Sequence, residues 1–85
     1  MSERELLERI TFNPEIYGGK AIIRGHRLAV SQVLDMLAAG SPPKEIVDAY
    51  DWLEMDDVKA CLVYASGVIE NESFMPALVA SETPD

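Results

Sequence analysis

The stretch from residue 18 to residue 30, Gly-Gly-Lys-Ala-Ile-Ile-Arg-Gly-His-Arg-Leu-Ala-Val, constrains the fold more than any other part of the chain. It holds three of the five glycines, three of the seven lysines and arginines, and the single histidine. Residues 20–23 and 27–30 read as two short strands with Gly25 between them. A tight turn of type I′ or II′ puts Gly25 at a central position, where positive φ costs little. With Gly25 and His26 as the central pair, Arg24 and Arg27 become cross-strand neighbours, which is mildly destabilising. A two-stranded hairpin is marginal alone. Support is therefore expected from residues 10–12 or from a second subunit.

The flanking sequence is mostly helical in pattern. Ser2 and Glu5 form a capping-box pair ahead of Leu6 and Leu7, which predicts a short helix over residues 3–9. Residues 10–12 are strand-like, and Asn13-Pro14 ends them. Val30, Val33, Leu34 and Leu37 recur at helical spacing over residues 30–39, with Gly40 as the stop. Ser41-Pro42-Pro43 opens a second helix that ends near Tyr50 or Asp51. A third begins at about Met55, with Val58, Cys61, Leu62, Ala65 and Ile69 as its apolar stripe. Asp56 and Asp57 suit the positive end of its dipole. The expected fold is mainly α, a three-helix bundle whose last two helices form a helix-turn-helix, preceded by a short β-hairpin. The chain divides into an N-terminal helical segment (1–9), a hairpin-plus-helices domain (10–72) and a tail (73–85).

Eighty-five residues permit one small domain. Cys61 is the only cysteine, so a disulfide is excluded, and one Cys with one His cannot fill a structural zinc site. Oligomerisation is the remaining common source of extra burial, and a homodimer is expected. No run is apolar enough for a membrane span, and the first nine residues lack a signal-peptide core. A soluble, cytoplasmic protein is expected.

The net charge is −8 and unevenly placed: −2 over residues 1–15, +3 over 16–34, −6 over 35–57 and −3 over 58–85. This balance opposes general nucleic-acid affinity and suits a basic protein partner.

Several strings together resemble the bacterial domain-of-unknown-function family 433. They are Ile10-Thr11-Phe12-Asn13-Pro14-Glu15-Ile16, Gly18-Gly19-Lys20, Ile22-Ile23-Arg24-Gly25 and Arg27-Leu28. Leu37-Ala38-Ala39-Gly40, Glu45-Ile46, Tyr50 and the run from Asp57 to Ala65 continue the match, which covers roughly residues 9–66. The resemblance implies a homeodomain-like helical fold, a VapB-like antitoxin role in a toxin-antitoxin system, and pairing with a PIN-like nuclease toxin. Members of that family have no established catalytic activity. The chain departs from the family pattern at His26, usually Thr, and at Ala21 and Ala29, where Pro is common. Pro42 takes the place of a Ser cap, with Ser41 as the alternative cap, and Glu54 that of a Thr cap on the third helix, where Glu is a poor N-cap.

In a helix-turn-helix the second helix reads DNA. Here its outward face is expected to carry Asp56, Asp57, Lys59, Ala60, Val63, Ser66, Gly67 and Glu70, with only Lys59 suited to a phosphate. Its small residues pack either against the N-terminal helix or the tail, or against a partner. Contacts to operator DNA would have to come from Lys20, Arg24, His26 and Arg27. The alternative is that Arg24 and Arg27 pair with acids of the 45–57 region.

The candidate contacts to a toxin are Trp52, Leu53, Phe74, Met75, Leu78 and Val79, beside the acidic run Glu45, Asp48, Asp51, Glu54, Asp56 and Asp57. The apolar tail residues otherwise fold back on their own bundle or on a dimer mate. His26 reads as a surface residue and Cys61 as a buried small hydrophobe. Gly18-Gly19-Lys20 lacks the spacing of a phosphate loop. No enzyme activity, cofactor or metal is expected.

Overall fold

The computed structural model describes residues 1–71. The chain forms α1 (Glu3–Leu7), β1 (Ile10–Phe12), a 3-10 turn (Tyr17–Gly19), β2 (Ala21–Ile23), α2 (Val30–Ala38), α3 (Pro43–Asp48) and α4 (Met55–Asn71). The protein is mainly helical, with one short two-stranded antiparallel sheet.

Local chemistry accounts for most boundaries. Ser2 Oγ accepts from the Glu5 N–H at 3.1 Å and Glu5 Oε1 accepts from the Ser2 N–H at 2.9 Å, closing the expected capping box. Helix α2 ends as its sequence predicts. Gly40 takes φ 100°, its N–H donates to the Leu37 carbonyl and the Ser41 N–H to the Met36 carbonyl, the two bonds of a Schellman stop. Pro42 sits at the N-cap of α3 without a side-chain cap bond, so Ser41 does not cap that helix. Helices α1 and α3 each end about two residues earlier than their apolar patterns suggest.

The hairpin departs from the sequence-based expectation. β2 pairs with β1, in the register Ile10–Ile23, Thr11–Ile22 and Phe12–Ala21. The strand expected over 27–30 is reduced to a single bridge between Ile22 and Ala29. The reason is competition: Val30 already belongs to the helical period of α2, and Gln32 Oε1 reaches back to accept from the Ala29 N–H at 2.8 Å. The turn is also shifted by one residue. Its central pair is Arg24 (φ 46°) and Gly25 (φ 75°), closed by the His26 N–H on the Ile23 carbonyl at 2.8 Å. Positive φ at both positions is the type I′ pattern, and it places a non-glycine residue in the left-handed region.

The period-two alternation of β2 separates two apolar clusters. Ile23 joins Leu6, Ile10, Leu28, Val33, Ile46, Leu53, Val58 and Cys61 in the main core. Ile22 points the other way, onto Ile16 and Ala29. Helix α4 is the central support, packed against α1, α2 and α3. Its buried face is Asp57, Val58, Ala60 and Cys61. Leu62 (48 % exposed) and Ile69 (65 %) are not in that face, contrary to the expected stripe. The small bundle covers only the first half of α4, and every residue from Ser66 to Asn71 is exposed. Among the described residues, no helix is long and apolar enough to cross a membrane.

Candidate nucleic-acid and partner interface

The four candidate nucleic-acid contacts do not form one surface. Arg24 turns inward from the hairpin tip and meets Asp57, which is fully buried in the first turn of α4. Arg24 Nε donates to Asp57 Oδ1 at 2.9 Å and Arg24 Nη2 to Oδ2 at 2.7 Å, a bidentate pair. Arg9 Nη1 donates to Oδ1 at 3.0 Å, and the Glu54 N–H to Oδ2 at 2.8 Å. Four donors thus saturate one buried carboxylate. Asp57 also supplies the return half of a capping box on the residue before α4, which offsets the poor cap offered by Glu54.

Both arginines are further anchored. Arg24 Nη2 donates to the Trp52 carbonyl at 2.7 Å, and Arg9 Nη1 to Glu54 Oε1 at 2.7 Å. The Arg24 N–H donates to the Arg9 carbonyl at 2.8 Å, and the Gly25 N–H to Thr11 Oγ1 at 2.9 Å. These bonds hold Arg24 in its left-handed conformation, whose backbone cost alone is about 1–2 kcal/mol.

The electrostatics agree with the geometry. Burial pushes the Asp57 carboxyl up, but the hydrogen bonds from Arg24, the Glu54 N–H and Arg9 outweigh it, and the group stays below its ordinary range. Arg24 is raised by its hydrogen bond to Asp57, and Arg9 by those to Glu54 and Asp57. The charge of Arg24 is paired with Asp57, although its side chain remains 33 % exposed.

His26 stacks on Trp52, with ring centroids 3.7 Å apart and planes within 4°. Tyr50 meets the same indole at 6.0 Å and 55°, and the Arg24 guanidinium lies 5.6 Å from its centroid. Trp52 is half-buried and belongs to this corner. Leu53 is buried at 4 % exposure, so the expected partner contact there is a core residue. Phe74, Met75, Leu78 and Val79 lie outside the described residues.

Lys20 and Arg27 are exposed and have no ion pair among the described residues. The Arg27 carbonyl accepts from Tyr17 Oη at 3.1 Å. Glu45, Asp48, Asp51 and Glu54 are exposed and Asp56 is half-buried, so most of the acidic run does face solvent. Asp57 and Ala60 do not: both are expected on the outward face of this helix, and both are fully buried. The Asp57 misplacement had a legible signal. It is four residues before Cys61 and shares that residue's face of α4.

A second surface feature is apolar. Leu34, Tyr64, Ala65, Val68 and Ile69 wall a groove of about 430 Å³ between α2, β2 and α4, and Lys20 is its one charged lining residue. Cys61 is buried, and burial, with the nearby Asp57 charge, pushes its thiol up to about 12, far from a nucleophile's range. No group of three potential metal ligands occurs among the described residues.

Comparison with known proteins gives two findings. The family model described as "Protein of unknown function (DUF433)" matches residues 10–65. The uncharacterized protein y4eO of Sinorhizobium fredii (strain NBRC 101917 / NGR234) is 31 % identical over 58 residues, 68 % of this chain and 26 % of that protein. The chain therefore spans about a quarter of the length of that relative. No solved structure gives a significant match.

Proposed function

The chain belongs to the DUF433 family, and from its surface we propose that it is an antitoxin-like protein that binds and neutralises a PIN-like ribonuclease. One observation carries this reading: Arg24 and Arg9 are consumed by Asp57, while Glu45, Asp48, Asp51 and Glu54 stay at the surface. What remains outward is predominantly anionic, on a chain of net charge −8. Such a face complements the cationic groove in which a ribonuclease holds RNA, and opposite potentials favour encounter and register. The order of α2, α3 and α4 supports the homeodomain-like helix-turn-helix reading, with α3 and α4 as its pair. In this family member the pair serves as a scaffold for the acidic face.

The test is co-expression with a PIN-like nuclease encoded beside it. The account expects co-purification and relief of growth arrest, and Glu45→Lys with Asp48→Lys should abolish both. A nuclease that neither co-purifies nor is neutralised contradicts it.

The second reading is an operator-binding regulator, possible because Lys20 and Arg27 are exposed. A homodimer would then present four such cations, because Arg24 is already paired with Asp57, which weakens the expected salt dependence. Retardation of its own promoter DNA that disappears in Lys20→Gln/Arg27→Gln would favour this second reading. A homodimer without any other partner is the remaining alternative.

A further inference from the structure

We propose that the outer edge of β1 is a self-pairing surface, through which a second copy of this chain extends the two-stranded sheet to four strands. The hydrogen-bond parity of the sheet identifies this edge. The Arg24 N–H donates to the Arg9 carbonyl at 2.8 Å, while the Ile23 N–H turns the other way, to the Leu28 carbonyl at 3.1 Å. In the observed register Thr11 and Ile22 are therefore a hydrogen-bonded pair, and Ile10–Ile23 and Phe12–Ala21 are not. The N–H and C=O groups of Ile10 and Phe12 point away from β2, and they have no partner among the described residues. The other edge of the sheet is closed, since Ile22 is bridged to Ala29.

An edge of this kind is completed by an extended strand. Ile10 is only 9 % exposed, and backbone polar groups on a buried residue are costly to leave unpaired. A two-stranded sheet is itself marginal, and further strands support it.

Three observations select a second copy as the source of that strand. The first is symmetry. The free groups sit on the residues either side of Thr11. A two-fold axis at Thr11 sets Ile10 opposite the partner's Phe12 and Phe12 opposite the partner's Ile10. Each pair exchanges two hydrogen bonds, and every free group of both strands is used.

The second is side-chain fit. Ile10 and Phe12 lie on one face of β1, and Phe12 is 59 % exposed, with the Tyr64 ring 6.2 Å away. Opposite the partner's Ile10, it gains an aromatic–β-branched cross-strand pair.

The third is charge. Two chains of net charge −8 repel over most of their surfaces. Residues 10–14 carry no charge, and the Arg9 guanidinium before them is already held by Glu54 and Asp57. The edge charges with which sheets block such pairing are absent from β1. Pro14 keeps the ladder short, so the dimer is a weak one. The pairing uses neither Glu45 nor Asp48, and it stands or falls independently of the ribonuclease reading.

Sedimentation of the full chain from micromolar to millimolar concentration should show the mass rising towards twice that of one chain. Phe12→Pro removes an outward donor and leaves the Thr11 bonds to β2 in place. Phe12→Lys keeps the donor and puts a charge on the edge. Each should raise the dissociation constant about ten-fold or more, with helical circular dichroism unchanged. In an equal mixture of labelled and unlabelled wild-type chains, the Thr11 Hα should show an NOE to the partner's Thr11 Hα. That NOE decides the matter if Phe12→Pro does not fold. A single-chain mass throughout overturns the proposal. So does a dimer indifferent to Phe12→Lys, or one whose cross-chain NOEs avoid residues 10–12. Ile10 and Phe12 amides bonded within their own chain overturn it as well.

Discussion

The two ends of the 18–30 segment meet opposite fates. At its tip, Arg24 is drawn into a corner where Asp57 accepts four hydrogen bonds and His26 lies flat on Trp52. At its base, Lys20 stands beside an apolar groove and pairs with nothing among the described residues. The corner is polar and internally hydrogen-bonded, with Arg24 still partly exposed; the groove is apolar. Two cations four residues apart in one sequence string can therefore be a structural pin and a surface charge. Clustered positive charge in a sequence is not evidence of a polyanion site until each cation's partner is known.

Breaking the corner should have the largest effect. Asp57→Ala leaves two guanidinium groups facing an empty buried site and should cost about 3–5 kcal/mol, read as a lower urea midpoint. Asp57→Asn keeps the shape and the acceptor oxygen, and should lose less. Gly25→Val tests the turn beneath the corner. With φ at 75° and open space around a new Cβ, its cost is backbone strain of about 1–2 kcal/mol, and Gly25→Asn should recover much of it. Trp52→Ala should remove the His26 stack, worth about 0.5–1.5 kcal/mol beyond lost burial.

The pH dependence separates the corner from the core behind it. The Asp57 carboxyl is lower in the folded than in the unfolded state, so its contribution is present above the ordinary carboxylate pKa near 3.8. It is lost as pH falls through the depressed folded value, and Asp57→Asn should flatten that acid limb. The Cys61 thiol moves the other way, from 9.0 to about 12. Its contribution is complete below pH 9 and is lost progressively as pH rises towards 12. Cys61→Ala should flatten the alkaline limb and leave the acid limb alone. At the open side, Lys20→Gln and Arg27→Gln should each change stability by less than about 0.5 kcal/mol.

Much of the fold was legible because it is written in local chemistry. The Ser2–Glu5 box, the Gly40 stop and the 3.6-residue period of α2 depend on residues close in sequence, and each appears as its pattern predicts. The hairpin was half legible. Gly25 marked the turn, but which neighbour shares its centre depends on Arg9, Thr11 and Asp57, which lie 16, 14 and 32 residues away. Leu62 and Ile69 have the spacing of core residues, yet the bundle is too small to cover the whole of α4.

The candidate site was least legible. Whether Arg24 binds a phosphate or an aspartate was left open by the sequence, since both answers use the same side chain. Asp57 was misassigned to the surface because an acid in the first turn of a helix already has a sufficient explanation in the helix dipole. Its position four residues before Cys61 was the stronger signal.

The central claim is that the Arg24 charge is neutralised within the protein by Asp57. A double-mutant cycle of Arg24→Ala and Asp57→Ala, followed by urea unfolding, measures it most directly. The account predicts a coupling of about 1.5–3 kcal/mol, with the second substitution costing far less once the first is made. Additivity of the two substitutions to within about 0.5 kcal/mol would contradict it.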